Sequence, residues 1–142
     1  MSFLRNIFMT AFIAVAVLAC AGGKSDNNVK ADASPSDIAL TLYNGLTSGD
    51  VKAVTENIYF KEQLDYNVFR DYFQMAVSNA DYKERTKNFK PDYKVTSEQI
   101  DGTEATVNLE GIGPLGNMLK ITVKLLLIDG RWKVDGNHGV FY

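Results

Sequence analysis

The period of hydrophobic and polar positions changes along the chain. Residues 7–19 form an unbroken apolar run, and residues 21–33, AGGKSDNNVKADA, are small and polar. From Ser34 to about Ala80 apolar residues recur every three or four positions, which predicts helices. From Val95 onward they alternate with polar residues, which predicts strands. The pattern therefore predicts a short apolar leader, a polar connecting segment, and one domain in which helices precede strands.

Three helices are predicted in the first half of this domain. The first has Ser34 as N-cap, Pro35 at its first position and Asp37 three residues after the cap, and it ends at Gly49. Asp50 caps a second, short helix, VKAVTENI, at positions 51–58. A third helix is expected from about residue 65 to residue 80. Its apolar positions are so many that we expect it to lie against a large surface; they are Tyr66, Val68, Phe69, Tyr72, Phe73, Met75, Val77 and Ala80.

Four antiparallel strands are predicted in the second half. Two Asp-Gly pairs, in IDGT at 100–103 and IDGR at 128–131, predict two-residue hairpin loops, and GPLGN at 113–117 predicts a looser turn. The charged segment 81–94 is expected to be a solvated helix end and loop. The predicted fold class is thus α+β, with three N-terminal helices packed on a curved four-stranded antiparallel sheet.

The apolar run near the N-terminus is too short to span a membrane comfortably. Its 13 residues would extend only about 20 Å as a helix, against a bilayer core of roughly 30 Å. Arg5 before the run and small residues after it are the parts of a secretory signal, which the mature protein would lack.

The single cysteine lies at the end of this run. Val17-Leu18-Ala19-Cys20 resembles the lipobox of bacterial lipoproteins, with Val17 where leucine is usual. The resemblance implies that Cys20 is lipidated on sulfur, becomes the N-terminus after cleavage and is acylated there, for example with palmitate. Two or three acyl chains would hold the protein stably at a membrane. The alternative is an incidental cysteine at the end of an ordinary signal, since one cysteine forms no disulfide within its own chain.

These features predict three segments and a location. Residues 1–19 are expected to be a lipoprotein signal peptide, 20–33 the lipidated cysteine with a flexible tether, and 34–142 the folded domain. The expected location is the bacterial cell envelope. Ala21 follows the cysteine, so the aspartate that retains many lipoproteins in the inner membrane is absent, and the outer membrane is favoured.

Charge and histidine content narrow the possible functions. Loss of residues 1–19 removes Arg5 and no acid, so 15 basic residues become 14 against 17 acidic ones, a formal charge of −3. This balance argues against a nucleic-acid partner. His138 is the only histidine, which excludes a three-histidine metal site, and we expect no metal and no cofactor.

Three stretches together resemble the nuclear transport factor 2-like family, also called cystatin-like, and in particular its small bacterial lipoproteins. They are SPSDIALTLYNGLTSGDVKAV, which is similar to the family's opening helices, IDGTEATVNLE, similar to its first hairpin, and VKLLLIDGRWKVDG, similar to its closing hairpin. The resemblance covers residues 34–136 and implies a cone-shaped domain with an interior pocket. The fold hosts isomerases, cyclases, adaptors and lipoproteins of unknown role, so it implies no particular reaction, and no catalytic residue is carried over.

Five side chains are candidates for the wall of such a pocket, although each is also a plausible core residue: Tyr43, Tyr72, Phe73, Met75 and Trp132. The leading hypothesis is a non-enzymatic lipoprotein that binds a small apolar ligand or a partner protein. The second is an enzyme of isomerase or polyketide-cyclase type, for which Asp71 or His138 in a cavity would be the sign. The third is a dimer or adaptor that docks through its sheet, where Leu126 and Ile128 face outward.

Overall fold

The computed structural model describes residues 33–90, 92–113 and 116–138. These residues form four helices and five strands in the order α1 Pro35–Ser48, α2 Val51–Asn57, β1 Ile58–Tyr59, α3 Gln63–Ser78, α4 Ala80–Thr86, β2 Lys94–Asp101, β3 Glu104–Ile112, β4 Met118–Ile128 and β5 Arg131–Asp135, followed by a 3₁₀ turn at Gly136–His138. The α+β class is confirmed.

The start and end of α1 follow its sequence signals. The Ser34 hydroxyl accepts the amide hydrogen of Asp37, and the Asp37 carboxylate accepts that of Ser34, which forms a reciprocal capping box. Gly49 ends the helix with φ +75°, a left-handed conformation that favours glycine. The Asp50 side chain then accepts the amide hydrogen of Ala53 and starts α2. Both predicted caps are confirmed.

The sheet has the strand order β1-β5-β4-β3-β2. The four longer strands pair antiparallel, and β1 pairs parallel with β5. Alternation along β3 and β4 gives the sheet an inner face, covered by the helices, and an outer face. The inner residues Val107, Leu109, Val123, Leu125 and Val134 pack with Ile38, Ala39 and Leu42 of α1 to form the core.

The sheet differs from the prediction in one strand. A four-stranded antiparallel sheet was expected, but β1 adds a fifth, parallel strand. Ile58 was predicted to end the second helix and instead pairs with Val134 of β5. A two-residue strand is too short to show alternation, and it forms only because the end of α2 meets the edge of the sheet.

The helices also differ in number and extent. The expected loop after α3 contains the short helix α4, which Asn79 caps by accepting the amide hydrogen of Asp81. The Tyr82 hydroxyl donates to the Leu46 carbonyl oxygen at 2.6 Å and holds α4 against the end of α1. Burial also raises the pKa of Tyr82. The contact explains a helix in a segment whose charges predict only solvation.

The two hairpins differ in their loops. Asp129 and Gly130 have φ of 50° and 76°, as a type I′ turn requires, so the second hairpin is confirmed. In the first hairpin Asp101 pairs directly with Glu104, so the loop is Gly102-Thr103 and not Asp101-Gly102. Only Gly102 has positive φ there, which is the pattern of a type II′ turn.

The predicted signal peptide, Cys20 and all of the tether except Ala33 lie outside the described residues. Within the part of the chain that the structure describes, no helix combines the length and the apolar character needed to cross a membrane.

Candidate functional site

The five residues predicted to line a pocket are not brought together. Tyr43 is buried in the core, where its ring meets that of Tyr93 edge-on at 5.9 Å between centroids. Phe73 is buried beneath α3 and stacks on Phe69 at 6.0 Å, while Trp132 packs at the margin of the core. These three side chains contribute to packing of the interior, which is the structural role considered for them from the sequence.

Burial also sets the chemistry of Tyr43. Desolvation, with a smaller contribution from the neighbouring Tyr93, raises the pKa of the Tyr43 hydroxyl to about 12. A phenol in this environment stays neutral at physiological pH. Its ring is therefore an apolar component of the core rather than an acid–base group.

Tyr72 and Met75 lie instead on the exposed side of α3. Together with Leu64 and Val68 they form what we call the α3 stripe, whose four side chains are 62–71% exposed. The spacing of four, four and three residues places all of them on one side of the helix. This differs from the expectation that α3 would be covered on its whole apolar surface.

A second apolar side of α3 explains the difference. Phe69 and Phe73 face the rest of the domain, where the ring of Phe60 lies 5.4 Å from that of Phe69. The hydroxyl of Tyr66, on the same side, lies 3.4 Å from the Thr55 carbonyl oxygen. One side of a helix is enough to pack on a small core, so the opposite side remains uncovered in this chain.

Acidic residues accompany the α3 stripe. Asp65 and Asp71 are exposed beside it on the same helix, and Asp71 pairs with the adjacent Arg70 at 2.8 Å. An ion pair this exposed contributes little to stability. The surface around the stripe is thus apolar at its centre and carries carboxylates at its margin.

Leu64 was absent from the predicted positions because the helix was expected to begin at Asp65, whereas α3 begins at Gln63. Val68 was identified as apolar but was expected to be buried. The sequence did contain a signal for two apolar sides of this helix. One row with helical spacing consists of Leu64, Val68, Tyr72 and Met75, and a separate row consists of Tyr66, Phe69 and Phe73.

The two acid–base candidates lie apart from the interior. Asp71 is on the surface, as described. His138 follows β5, and its Nδ1 lies 2.7 Å from the carboxylate of Asp135, whose side chain is only 8% exposed against 65% for the histidine. By the alternation of β5, Asp135 belongs to the outer face of the sheet, on the side away from the helices.

Two further features of the surface bear on function. Leu126 and Ile128 of the outer face, which the third hypothesis assigns to docking, are half-buried. Among the residues that the structure describes, no three histidine, cysteine, aspartate or glutamate side chains converge in a way that could hold a metal ion.

Solved structures of other proteins resemble this domain. A Campylobacter jejuni protein, provisionally described as an NTF2-like transpeptidase, superposes with a TM-score of 0.57 and 20% sequence identity, over 72% of this chain and 98% of its own. An NTF-2 like protein of unknown function from Silicibacter pomeroyi superposes with a TM-score of 0.47 and 19% identity, over 70% and 85% of the two chains. No protein-family model matches the chain, and no curated protein matches it significantly.

The class is defined by the helices on one face of a mostly antiparallel five-stranded sheet together with the first of these similarities. The domain has the nuclear transport factor 2-like fold. At 20% identity the similarity concerns the fold and carries no activity from one protein to the other.

Proposed function

We propose that the protein is a bacterial envelope lipoprotein, anchored through Cys20, whose nuclear transport factor 2-like domain binds a partner protein without catalysis. The observation that carries the binding role is the α3 stripe, in which Leu64, Val68, Tyr72 and Met75 are all more than 60% exposed. An apolar patch of this kind on a small domain is typical of an interaction site.

A partner protein is better supported than a small ligand inside the cone. The core between helices and sheet is filled by side chains such as Leu42, Leu109 and Leu125, each less than 2% exposed. Of the five predicted pocket residues, Tyr43 and Phe73 are packed there, and Tyr72 and Met75 are on the surface. The exposed pair is available to a partner and the buried pair is not.

The non-catalytic role is favoured for a related reason. An isomerase or cyclase would need a desolvated acid or base on the wall of the cone. The core cluster consists of aliphatic and aromatic side chains, and the candidate His138 lies beyond the sheet. The transpeptidase description of the Campylobacter jejuni protein offers a different activity, but no residue described in this chain supports its transfer.

The chemistry of the α3 stripe favours one occupant: a protein with an apolar helix or strand flanked by basic side chains. Asp65 beside the stripe, with a smaller contribution from Asp71 because Arg70 offsets its charge, would attract such a flank and would repel an anionic lipid surface. A second copy would bring the same carboxylates together.

Envelope anchoring is tested first. In a bacterial host, Cys20→Ser is expected to abolish incorporation of labelled palmitate and to release the protein from the membrane fraction. Ser25→Cys in the Cys20→Ser background tests whether position matters, since a cysteine displaced from the lipobox should not restore the label. Unchanged membrane attachment of Cys20→Ser would contradict the anchor.

Partner binding is tested with a photo-crosslinking amino acid at Val68. The matched control places it at Met118, which is 61% exposed but lies at the start of β4. We expect one protein to be crosslinked from position 68 and not from 118. After purification, that protein should bind the domain saturably, and the pair Val68→Ser with Met75→Ser should weaken binding at least about tenfold, while Met118→Ser does not.

Two parallel measurements test the other possible occupants of the α3 stripe, a lipid surface and a second copy of the chain. Sedimentation of the Cys20→Ser protein with vesicles of phosphatidylglycerol and phosphatidylethanolamine would indicate a lipid surface. Concentration-dependent dimerisation that Val68→Ser removes would indicate a second copy. Either result, or the lack of a specific crosslink from Val68, overturns the proposed partner-binding role.

A further inference from the structure

A cleft of about 360 Å³ opens on the outer face of the sheet, away from the α3 stripe. Its volume falls within the range of small-molecule sites, roughly 300–1,000 Å³. Its wall is formed by side chains of successive strands, including Gln99 of β2, Thr106 of β3 and Lys124 of β4, with His138 after β5. These residues are neighbours because the strand register aligns Gln99, Thr106 and Lys124 across the sheet.

Basic and hydrogen-bonding groups lie on one side of the cleft. The Lys124 ammonium donates to the Thr106 hydroxyl at 2.8 Å, which fixes the long side chain over the sheet. His138 is held by Asp135, whose other carboxylate oxygen accepts from the backbone and side-chain nitrogens of Asn137 at 3.0 and 2.9 Å. The imidazole is therefore oriented by a buried carboxylate while its ring stays accessible.

Two carboxylates lie at another part of the cleft wall. Asp101 and Glu104 are directly opposite each other in the first hairpin, on the same face of the sheet. Like charges in this arrangement destabilise a strand pair. Within residues 33–90, 92–113 and 116–138, none of the ion pairs at 4.0 Å or less involves either acid. A positive group from outside the chain would relieve the repulsion.

Lys124 does not neutralise these acids: its ammonium donates to Thr106, and among the described residues it forms no ion pair with Glu104 at 4.0 Å or less. Glu104 pairs with Leu126, and Lys124 lies two residues further along β4. With strands about 4.8 Å apart and about 3.4 Å per residue, the Cα atoms of Glu104 and Lys124 are roughly 8 Å apart on the diagonal. The acid and the ammonium are thus placed to hold two ends of a bound molecule.

We propose that this outer-face cleft binds a small zwitterion of dipeptide size, with its ammonium at Asp101 and Glu104 and its carboxylate at Lys124. The cleft volume of about 360 Å³ lies at the lower end of the range for small-molecule sites, roughly 300–1,000 Å³, which favours a molecule of about dipeptide size. Charge-assisted hydrogen bonds at both ends would supply the recognition. The half-buried Leu126, opposite Glu104 on the neighbouring strand, offers an apolar contact for a side chain.

The test uses the full-length purified protein and alanylalanine, titrated by calorimetry. We expect saturable binding that either N-acetylation or C-terminal amidation of the dipeptide weakens at least about tenfold, the effect of one lost charge-assisted hydrogen bond. Putrescine and succinate, which carry two charges of one sign, should bind more weakly than the zwitterion.

Amino-acid substitutions test whether alanylalanine binds in the outer-face cleft. Lys124→Met and Glu104→Gln should each weaken alanylalanine binding at least about tenfold. Lys120→Met is the matched control, since Lys120 is also on the outer face of β4 but pairs with Glu110 at 3.3 Å outside the cleft. Circular dichroism is expected to show the same fold for all three.

Three results would overturn the proposal: no saturable binding of alanylalanine, equal binding of the capped dipeptides, or equal losses in Lys120→Met and Lys124→Met. Because the cleft and the α3 stripe share no residue, each of these results leaves the partner-binding test unaffected.

Discussion

Tyr43 combines an aromatic core position with an ionisable group. The pKa of its hydroxyl is raised to about 12 by burial, against 10.0 for the free side chain. A raised pKa in the folded state means that the neutral phenol is favoured by folding. This stabilisation is complete below pH 10 and is lost as the pH rises toward 12.

We therefore expect the free energy of unfolding to fall steeply between pH 10 and pH 12. Burial raises the pKa of Tyr82 and Tyr93 too, so both add to the same loss. Tyr43→Phe should show a shallower decline when urea unfolding is measured across this range. An unchanged pH dependence in Tyr43→Phe would contradict the assignment to Tyr43.

Glu98 connects the start of α1 to the sheet. Its carboxylate accepts the backbone amide hydrogen of Ser36 at 2.8 Å and also the Ser36 hydroxyl hydrogen. The first amides of a helix lack partners within the helix, and a negative charge there is favourable. Glu98 pairs with Val107 of the inner face, so this carboxylate occupies an otherwise apolar row.

We expect Glu98→Ala to lower the free energy of unfolding by about 1–3 kcal/mol, because it leaves a part-buried amide without its acceptor. Glu84→Ala is the control: Glu84 pairs with Lys87 on the surface of α4, and its loss should cost less than about 0.5 kcal/mol. Urea unfolding of both variants measures the difference. Equal losses would mean that the Glu98 contact contributes no more than a surface ion pair.

At the scale of elements, the junction of α1 and α2 depends on one glycine. Gly49 has φ +75°, and a Cβ atom there would lie 2.5 Å from Cγ1 of Val77 in α3. Gly130 in the second hairpin has a similar φ of +76° but nothing within 4 Å. The two positions share the backbone requirement and differ in the available space.

Gly130→Ala should cost about 1–2 kcal/mol, the cost of a left-handed conformation for an L-residue. Gly49→Ala should cost more, because Val77 must also move. Adding Val77→Ala to Gly49→Ala should recover part of this excess in thermal or urea unfolding. If Gly49→Ala costs no more than Gly130→Ala, the steric contribution is absent.

The sequence predicted those elements whose signals are local. Ser34, Gly49 and Asp50 act through their own neighbours in the chain, and the expected helix ends were confirmed. The two-residue strand β1 and the helix α4 depend on distant partners, Val134 and Leu46 respectively. No local pattern reports such contacts, so these two elements were missed.

The candidate sites were predicted less well for the same reason. Periodicity identified Tyr72 and Met75 as apolar helix positions but could not tell which side of α3 the core would cover. The cleft on the outer face depends on strand register, which aligns Thr106 with Lys124. His138 was recognised as a possible acid or base, whereas its buried partner Asp135 was not, because only the turn after β5 brings them together.

At the scale of the whole molecule, residues 33–90, 92–113 and 116–138 contain an apolar core between α1 and the sheet. The capping box of α1 also lies within this part, between Ser34 and Asp37. We therefore expect a chain that begins at Ala33 to unfold at the same temperature as the Cys20→Ser full-length protein, within about 2 °C. A larger decrease would show that residues before Ala33 contribute to the stability of the domain.

The contact between Ser36 and Glu98 has a mechanical consequence for a protein held by its N-terminus. Force transmitted from a membrane anchor would enter the domain at Ser34, the first cap of α1. Two residues later the Glu98 carboxylate connects the helix to β2, an edge strand of the sheet. Tension would therefore be shared between helix and sheet at the point where it enters the domain. This sharing would protect α1 from separating from the core one turn at a time.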